Sequence, residues 1–277
     1  LGAEPPPLLA SGVRLVGVYG KWLQAERPQL LEGCVRYVLT ALSTPMAASA
    51  ASDAFRALCV HSKKQLAQLD TIRALMGACD ATLRSSAVAV EDRVALTEGL
   101  ARLVASLKRP EEAQQALQQL LTTPCAVLQQ CLQQLDPSSA PPAEAAAIVA
   151  SQLSLVSSSI KFCDAFKPEK HPVLPVLQGI WPLLQTAAHA FRAARDVVQA
   201  LCDLYCTAMT TLKGLLVPLL PQLLAQISEA FASSTVVGCL SCVTQSLQMY
   251  GRVWSEQPDS EVRPPTEEGW RARERVR

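Results

Sequence analysis

Apolar residues recur every three or four positions along almost the whole chain, and the recurrence is interrupted at short, regular intervals. Leu96, Leu100, Leu103, Val104 and Leu107 fall on one helical face. Leu117, Leu120, Leu121, Val127, Leu128, Cys131, Leu132 and Leu135 continue the pattern, as do Val197, Val198, Leu201, Leu204, Tyr205, Ala208 and Leu212. Val236, Val237, Leu240, Val243, Leu247 and Tyr250 form the last such set. This is the period of amphipathic helices. Strand-like alternation is nearly absent; only the run from Val13 to Val18 also fits a strand.

The breaks divide the pattern into about eleven helices of the length expected for paired helical repeats. They are Gly12–Leu23, Gln29–Leu42, Ala47–His61, Lys63–Leu83, Val90–Leu107, Glu111–Leu135, Glu144–Phe166, Val173–Ala190, Arg192–Leu212, Leu215–Phe231 and Thr235–Gly251. Pro28, Pro45 and Pro110 stand at breaks, and Asp136–Pro142 is a Pro/Ser loop. Pro124 is expected to kink its helix, and Pro175 and Pro182 to bend or split theirs. Helices of this kind cannot bury their apolar faces singly. The expected fold is all-α: an α-solenoid of stacked helical hairpins with a long surface suited to binding.

Two regions are expected: a solenoid over 1–251 and a disordered tail over 252–277. The tail is charged, Pro-containing and poor in aliphatic residues, with a basic end at Arg271, Arg273, Arg275 and Arg277. The chain does not open with Met, so it is expected to be a piece of a longer protein. No convincing polar cap is visible at Leu1 or after Gly251, so apolar ends are expected to promote association.

Composition narrows the function. In 277 residues, 49% are hydrophobic and only 5% aromatic, which suits helix-on-helix packing by Leu, Ala and Val. A net charge of +1 gives no bulk attraction to nucleic acid or to an anionic membrane. The strongest apolar run, Leu212–Ile227, contains Lys213, Gln222, Gln226, Pro218 and Pro221 and reads as a buried helix rather than a membrane span.

Catalytic signatures are missing. There is no phosphate-cradling glycine loop and no nucleophile elbow. His61, His171 and His189 have no partners in sequence that suggest a catalytic or ligand role. The ten cysteines mostly occupy apolar helical positions and read as reduced, intracellular core thiols. Cys239 and Cys242 form a Cys-x-x-Cys pair, but inside an apolar helix, and no second such pair completes a zinc site. Cys202 and Cys206 stand one turn apart and share a face. No enzyme activity, cofactor or metal is expected. The paired glutamines from Gln114 to Gln134 read as a solvated face. Arg192 and Arg195, near a helix start, are the candidate contacts for an acidic partner.

Several segments resemble the central and C-terminal HEAT repeats of nuclear transport receptors of the importin-β superfamily, in its transportin-SR and importin-thirteen branch. The segments are the alanine-rich run Pro45–Ala51, continuing through Ala54, Leu58 and Cys59 to the basic turn Ser62-Lys63-Lys64; Glu98-Gly99-Leu100-Ala101-Arg102-Leu103; His171-Pro172 followed by Ile180-Trp181-Pro182-Leu183-Leu184; and Leu219–Leu224 with the helix ending Tyr250-Gly251. The order matches from about Val13 to Gly251. The resemblance implies a HEAT solenoid that binds protein cargo under control of the Ran GTPase, with Ran contacts in N-terminal repeats outside this chain. It also implies contact with nucleoporins and shuttling between nucleus and cytoplasm. Receptors for phosphorylated Arg-Ser cargo carry an arginine-rich helix after the Ile-Trp-Pro helix. The corresponding stretch, Asp196–Leu212, holds no arginine and adds Asp203, which counts against that cargo class. A non-transport α-solenoid scaffold is the competing reading.

Overall fold

A computed structural model describes residues 6–136 and 140–256. Among these residues every regular element is helical. A first pair, α1 (Pro6–Val18) and α2 (Gly20–Glu26), precedes five hairpins. These are α3 (Leu31–Ala41) with α4 (Pro45–His61), α6 (Leu69–Arg84) with α7 (Val90–Val104), α8 (Pro110–Gln133) with α9 (Ala143–Ile160), α10 (Val173–Ala190) with α11 (Arg195–Leu212), and α12 (Leu220–Ser234) with α13 (Val237–Glu256). The one-turn α5 (Lys63–Leu66) lies between the first two hairpins. Short 3₁₀ turns occupy Pro28–Leu30, Pro168–Lys170 and Lys213–Leu219.

Proline sets several of these starts. Pro45, Pro110 and Pro221 sit in the first turn of α4, α8 and α12, where a missing N–H costs nothing. Glu111 and Glu112 then complement the positive end of α8. Pro175 is the third residue of α10, where its N–H would have no helical partner, so α10 runs unsplit through it and through Pro182. α8 likewise continues past Pro124.

Several boundaries differ from the sequence expectation; the helix expected over 144–166 closes at Ile160, and the one expected from Arg192 begins at Arg195. The first helix starts earlier and is interrupted at Tyr19. The stretch Lys63–Leu83 is broken at Ala67 and Gln68, where the backbone turns extended before α6. Residues 215–219 belong to a 3₁₀ turn rather than to α12, because Lys213 takes a positive φ of 51° that ends α11 abruptly. α13 also runs on to Glu256; the rest of the expected tail, residues 257–277, lies outside the described residues.

The hairpins stack in two rows. One row is α1, α4, α7, α9, α11 and α13; the other is α6, α8, α10 and α12, with α3 packed on α1 and α4 at its start. Between the rows runs one continuous core, from Ala10 and Val13 at one end to Cys242 and Tyr250 at the other. Packing is closest in the first row, and small residues are the reason. Ala47, Ala50, Ala51 and Ala54 face inward from α4. A Cβ on Gly17 would meet Ala54 Cα at 3.0 Å, and one on Gly99 would meet Phe55 Cδ1 at 3.1 Å. A stack packed more closely along one row curves toward that row.

Polar bonds between successive hairpins reveal the repeat length. Arg56 pairs with Glu98, Arg73 with Gln115, Asp80 with Thr123, and Trp181 with Gln222, at separations of 42, 42, 43 and 41 residues. That is the period of HEAT-type repeats, although the separation rises to 63 for Glu98 with Lys161 and 50 for Ser157 with Thr207, and falls to 39 for Cys206 with Gln245. α9 is long and apolar enough to cross a membrane by length and composition, but its apolar face packs against α7, α8 and α11. The apolar stretch 195–234 meets the same criteria, yet the turn at Lys213 breaks it into separate helices. Uncovered apolar side chains gather at the two ends of the stack: Leu8, Leu15 and Val18 on α1, and Val237, Leu240 and Leu247 on α13.

Candidate functional site

The turns that join one hairpin to the next all emerge along one edge of the stack, and they are basic. They carry Lys63 and Lys64, then Lys108 and Arg109, then Lys161, Lys167 and Lys170, then Lys213, all exposed. Turns within hairpins form the opposite edge, where Arg192 is the one basic residue within a turn among the described residues and Arg195 follows at the start of α11. Two open clefts lie between successive basic turns. The larger, about 880 Å³, is lined by Lys63, Lys64, Lys108 and Arg109 with Asp70 and Glu112. The second, about 620 Å³, shares Lys108 and adds Lys167 and Lys170 with Glu169 and Phe166. Arg109 is partly neutralised by Glu112 at 3.2 Å, and Lys170 by Glu111 at 3.8 Å. Lys63, Lys64, Lys108 and Lys167 form no ion pair among the described residues.

Behind this edge a buried carboxylate ties three neighbouring helices together. Glu98 on α7 accepts from Lys161 Nζ at 2.9 Å and from Arg56 Nη1 at 3.3 Å. Arg56 belongs to α4, and Lys161 caps the end of α9. Burial alone would raise the Glu98 pKa, but the hydrogen bonds and charges of Lys161 and Arg56 outweigh it and hold the carboxyl below its ordinary value. Arg102 stacks on the Phe162 ring at 3.8 Å, which steadies the same turn.

Arg192 and Arg195, the candidate contacts from sequence, are both exposed on the opposite edge. Arg192 Nη1 lies 3.5 Å from Glu229 Oε1, which also faces His189 Nδ1 at 3.5 Å. Arg195 opens α11 and does not line the cleft formed by Arg192, His189 and Glu229. After Arg195, α11 carries no arginine, and Asp203 accepts a hydrogen bond from Gln199 at 2.9 Å. His171 is buried in the turn before α10, where its Nδ1 accepts from the Val173 N–H at 3.4 Å and its ring meets Phe166 edge-on. Burial lowers its pKa. Trp181, from the Ile-Trp-Pro segment, donates to Gln222 at 2.8 Å and packs on Tyr205, whose hydroxyl donates to Gln226. That segment is therefore a structural joint of α10, α11 and α12.

The cysteines are all free. Cys202 on α11 lies 3.7 Å, sulfur to sulfur, from Cys239 on α13, so the two sequence pairs meet across one interface. Among the described residues no three His, Cys, Asp or Glu side chains converge on a position that could hold a metal ion. Sequence reasoning saw each pair and missed their meeting. The signal was available: both pairs lie on buried faces, and Cys202 and Cys239 are 37 residues apart, close to one repeat. The basic edge was missed because its members are split among four separate turns.

No family model matches the chain, and no curated protein matches it. Among solved structures, the chain is similar to one titled "Importin13 cytosolic state", with a TM-score of 0.71 and 22% sequence identity. The superposition covers 93% of this chain and 28% of that one, so the chain spans less than a third of its structural neighbour. With two rows of helices, a repeat of about 42 residues and this match over nearly its full length, the chain has an importin-β-like fold, a HEAT solenoid.

Proposed function

We propose that this chain is a cargo-binding segment of a karyopherin-type nuclear transport receptor and has no catalytic role. The observation that supports this most is the importin-β-like solenoid fold over nearly the whole chain. The basic edge gives the proposal its surface. An extended acidic segment of a protein cargo would lie across the two clefts and engage Lys63, Lys64, Lys108 and Lys167, which form no ion pair among the described residues. Arg192 and Arg195 would supply further contacts at the opposite edge, with Arg192 weakened by its partner Glu229. Cargo exchange would be governed by Ran-GTP bound to other repeats of the full-length protein. A stack of repeats transmits small changes at each interface, which makes such coupling physically reasonable. Nucleoporin contact and movement between nucleus and cytoplasm belong to the same reading.

Two measurements test it. The first is binding of Ran-GTP to the full-length protein, together with its effect on cargo affinity. Absence of Ran binding, and of exchange between nucleus and cytoplasm after photobleaching, would replace the transport reading with a solenoid scaffold. The second is fluorescence anisotropy of a poly-glutamate peptide with the chain. Lys64→Glu combined with Lys108→Glu should weaken binding about tenfold or more, and added salt should weaken the native interaction. Unchanged affinity in the double variant would remove the basic edge from the proposal.

A further inference from the structure

The two clefts along the basic edge are not lined by charge alone. They meet at the turn after α7, where Leu107 and Lys108 line both. Ala67 and Leu69 also line the first cleft, and Ala105, Pro110 and Phe166 the second. These apolar residues are buried or half-buried, whereas the lysines are exposed, so the joined clefts have an apolar floor and a cationic rim. Leu69, Ala105 and Phe166 pack against the core, which fixes the floor in place. Carboxylates stand in the clefts as well. Lys63, Lys64, Lys108 and Arg109 share the first with Asp70 and Glu112, and Lys108, Lys167 and Lys170 share the second with Glu169. The positive charge is therefore interrupted rather than continuous.

Taking the basic edge as the cargo surface proposed above, we infer that this groove selects an extended protein segment in which aliphatic side chains alternate with acidic ones, the aliphatic groups on the floor and the carboxylates at the rim. Charge complementarity sets the acidic part, because the exposed Lys63, Lys64, Lys108 and Lys167 form no ion pair among the described residues. The carboxylates inside the clefts set the aliphatic part. A nucleic-acid strand, or an unbroken run of glutamate, would bring negative charge against Asp70, Glu112 and Glu169, and like charges at short range repel. It would also leave the floor wet. An aliphatic side chain meets no repulsion there and removes both its own surface and that of the floor from water. Exposed ion pairs at the rim add little affinity and are screened by salt. The floor thus supplies most of the hold, and the rim supplies orientation and speed of encounter.

The test is fluorescence anisotropy of the native chain with two labelled peptides of equal length and charge, one of Glu-Glu-Leu repeats and one of Glu-Glu-Ala repeats. The leucine peptide should bind about tenfold more tightly, the gain expected when the extra methylenes of one or two leucines are taken out of water. That ratio should persist when salt is raised to about 0.5 M, where the rim charges are screened. Ala67→Gln combined with Ala165→Gln places larger, uncharged side chains in the two clefts, and should bring the leucine peptide to within about twofold of the alanine peptide. Equal affinity of the two peptides for the native chain, or tighter binding of a single-stranded oligonucleotide than of the leucine peptide, would overturn the inference. If Lys64→Glu with Lys108→Glu still weakens both peptides, only the aliphatic selectivity falls. If that variant weakens neither, the cargo surface falls and the selectivity with it. The peptide comparison uses the native chain, so it stands even where the glutamine variant fails to fold.

Discussion

Glu98 should be worth more to this solenoid than any other single ion-pairing residue. Its side chain is only 11% exposed, while its partners Arg56 and Lys161 are 42% and 53% exposed. A hydrogen bond to a charged group contributes roughly 1.5–3 kcal/mol when shielded, and an exposed ion pair about 0–1 kcal/mol. The carboxylate is shielded but both cations recover much of their hydration when it is lost. Glu98→Gln, which keeps the shape and one acceptor, should therefore destabilise the chain by about 2 kcal/mol. The urea midpoint near neutral pH is the measurement.

The pH dependence makes the same argument refutable. The folded-state pKa of Glu98 lies below its ordinary value, so its contribution is complete above about pH 4.3 and is lost as pH falls through the folded value. The difference between native chain and Glu98→Gln should thus shrink as pH is lowered below about 4.3 toward the folded value. A double-mutant cycle with Lys161→Met should show coupling of about 1 kcal/mol. A neutral-pH loss below about 0.5 kcal/mol, or a loss that does not change with acidification, would show that the triad is ornamental and that apolar packing alone aligns α4, α7 and α9.

Gly77 and Gly99 should respond oppositely to alanine. Gly77→Ala meets nothing within 4 Å and should stabilise by about 0.5–1 kcal/mol through helix propensity, whereas Gly99→Ala drives its Cβ against Phe55 and Arg56 and should cost about 1 kcal/mol net by thermal or urea unfolding. Thr235 closes α12 with a φ of 52°, which a β-branched residue adopts poorly, so Thr235→Gly should raise stability by about 1 kcal/mol. Burial depresses the His171 pKa, so the unfolded chain takes up its proton first; stability present above about pH 6.5 should fall as pH drops through that value toward the folded one, and His171→Gln should flatten this part of the urea-midpoint profile. Leu240→Lys with Leu247→Lys should lower any concentration-dependent association seen by sedimentation, since both side chains are exposed at one end of the stack.

The hairpin count was readable because each helix has a buried stripe with a 3.6-residue period and most breaks carry proline, glycine or charge. What the stripe does not encode is how long a turn of helix survives beyond it. Residues 215–219 are as apolar as α12 itself, so periodicity extends the helix backward; only the positive φ at Lys213, which no residue type announces, ends α11 and winds the next stretch as 3₁₀. Pro182 misleads in the other direction. It removes one backbone bond, but α10 is held on both flanks by Trp181 with Gln222 and by the packing of Leu177 and Leu184, so tertiary contacts keep the helix whole.

The functional surfaces were harder to read for a geometric reason. A solenoid places residues about 42 positions apart side by side, so its sites are distributed at the repeat period and appear in sequence as isolated charges or thiols. Lys64, Lys108 and Lys167 look like ordinary solvated turn residues until the turns are seen to emerge along one edge. Cys202 and Cys239 look like two buried thiols until one repeat is subtracted from their spacing. Arg192 and Arg195, adjacent in one turn, drew notice because they are close in sequence, yet they sit away from the two larger clefts, and Arg192 already has Glu229. In this fold, proximity along the chain is the weaker guide to a shared surface; recurrence from one hairpin to the next is the stronger one, at 44 and then 59 residues for Lys64, Lys108 and Lys167 and at 37 for Cys202 and Cys239.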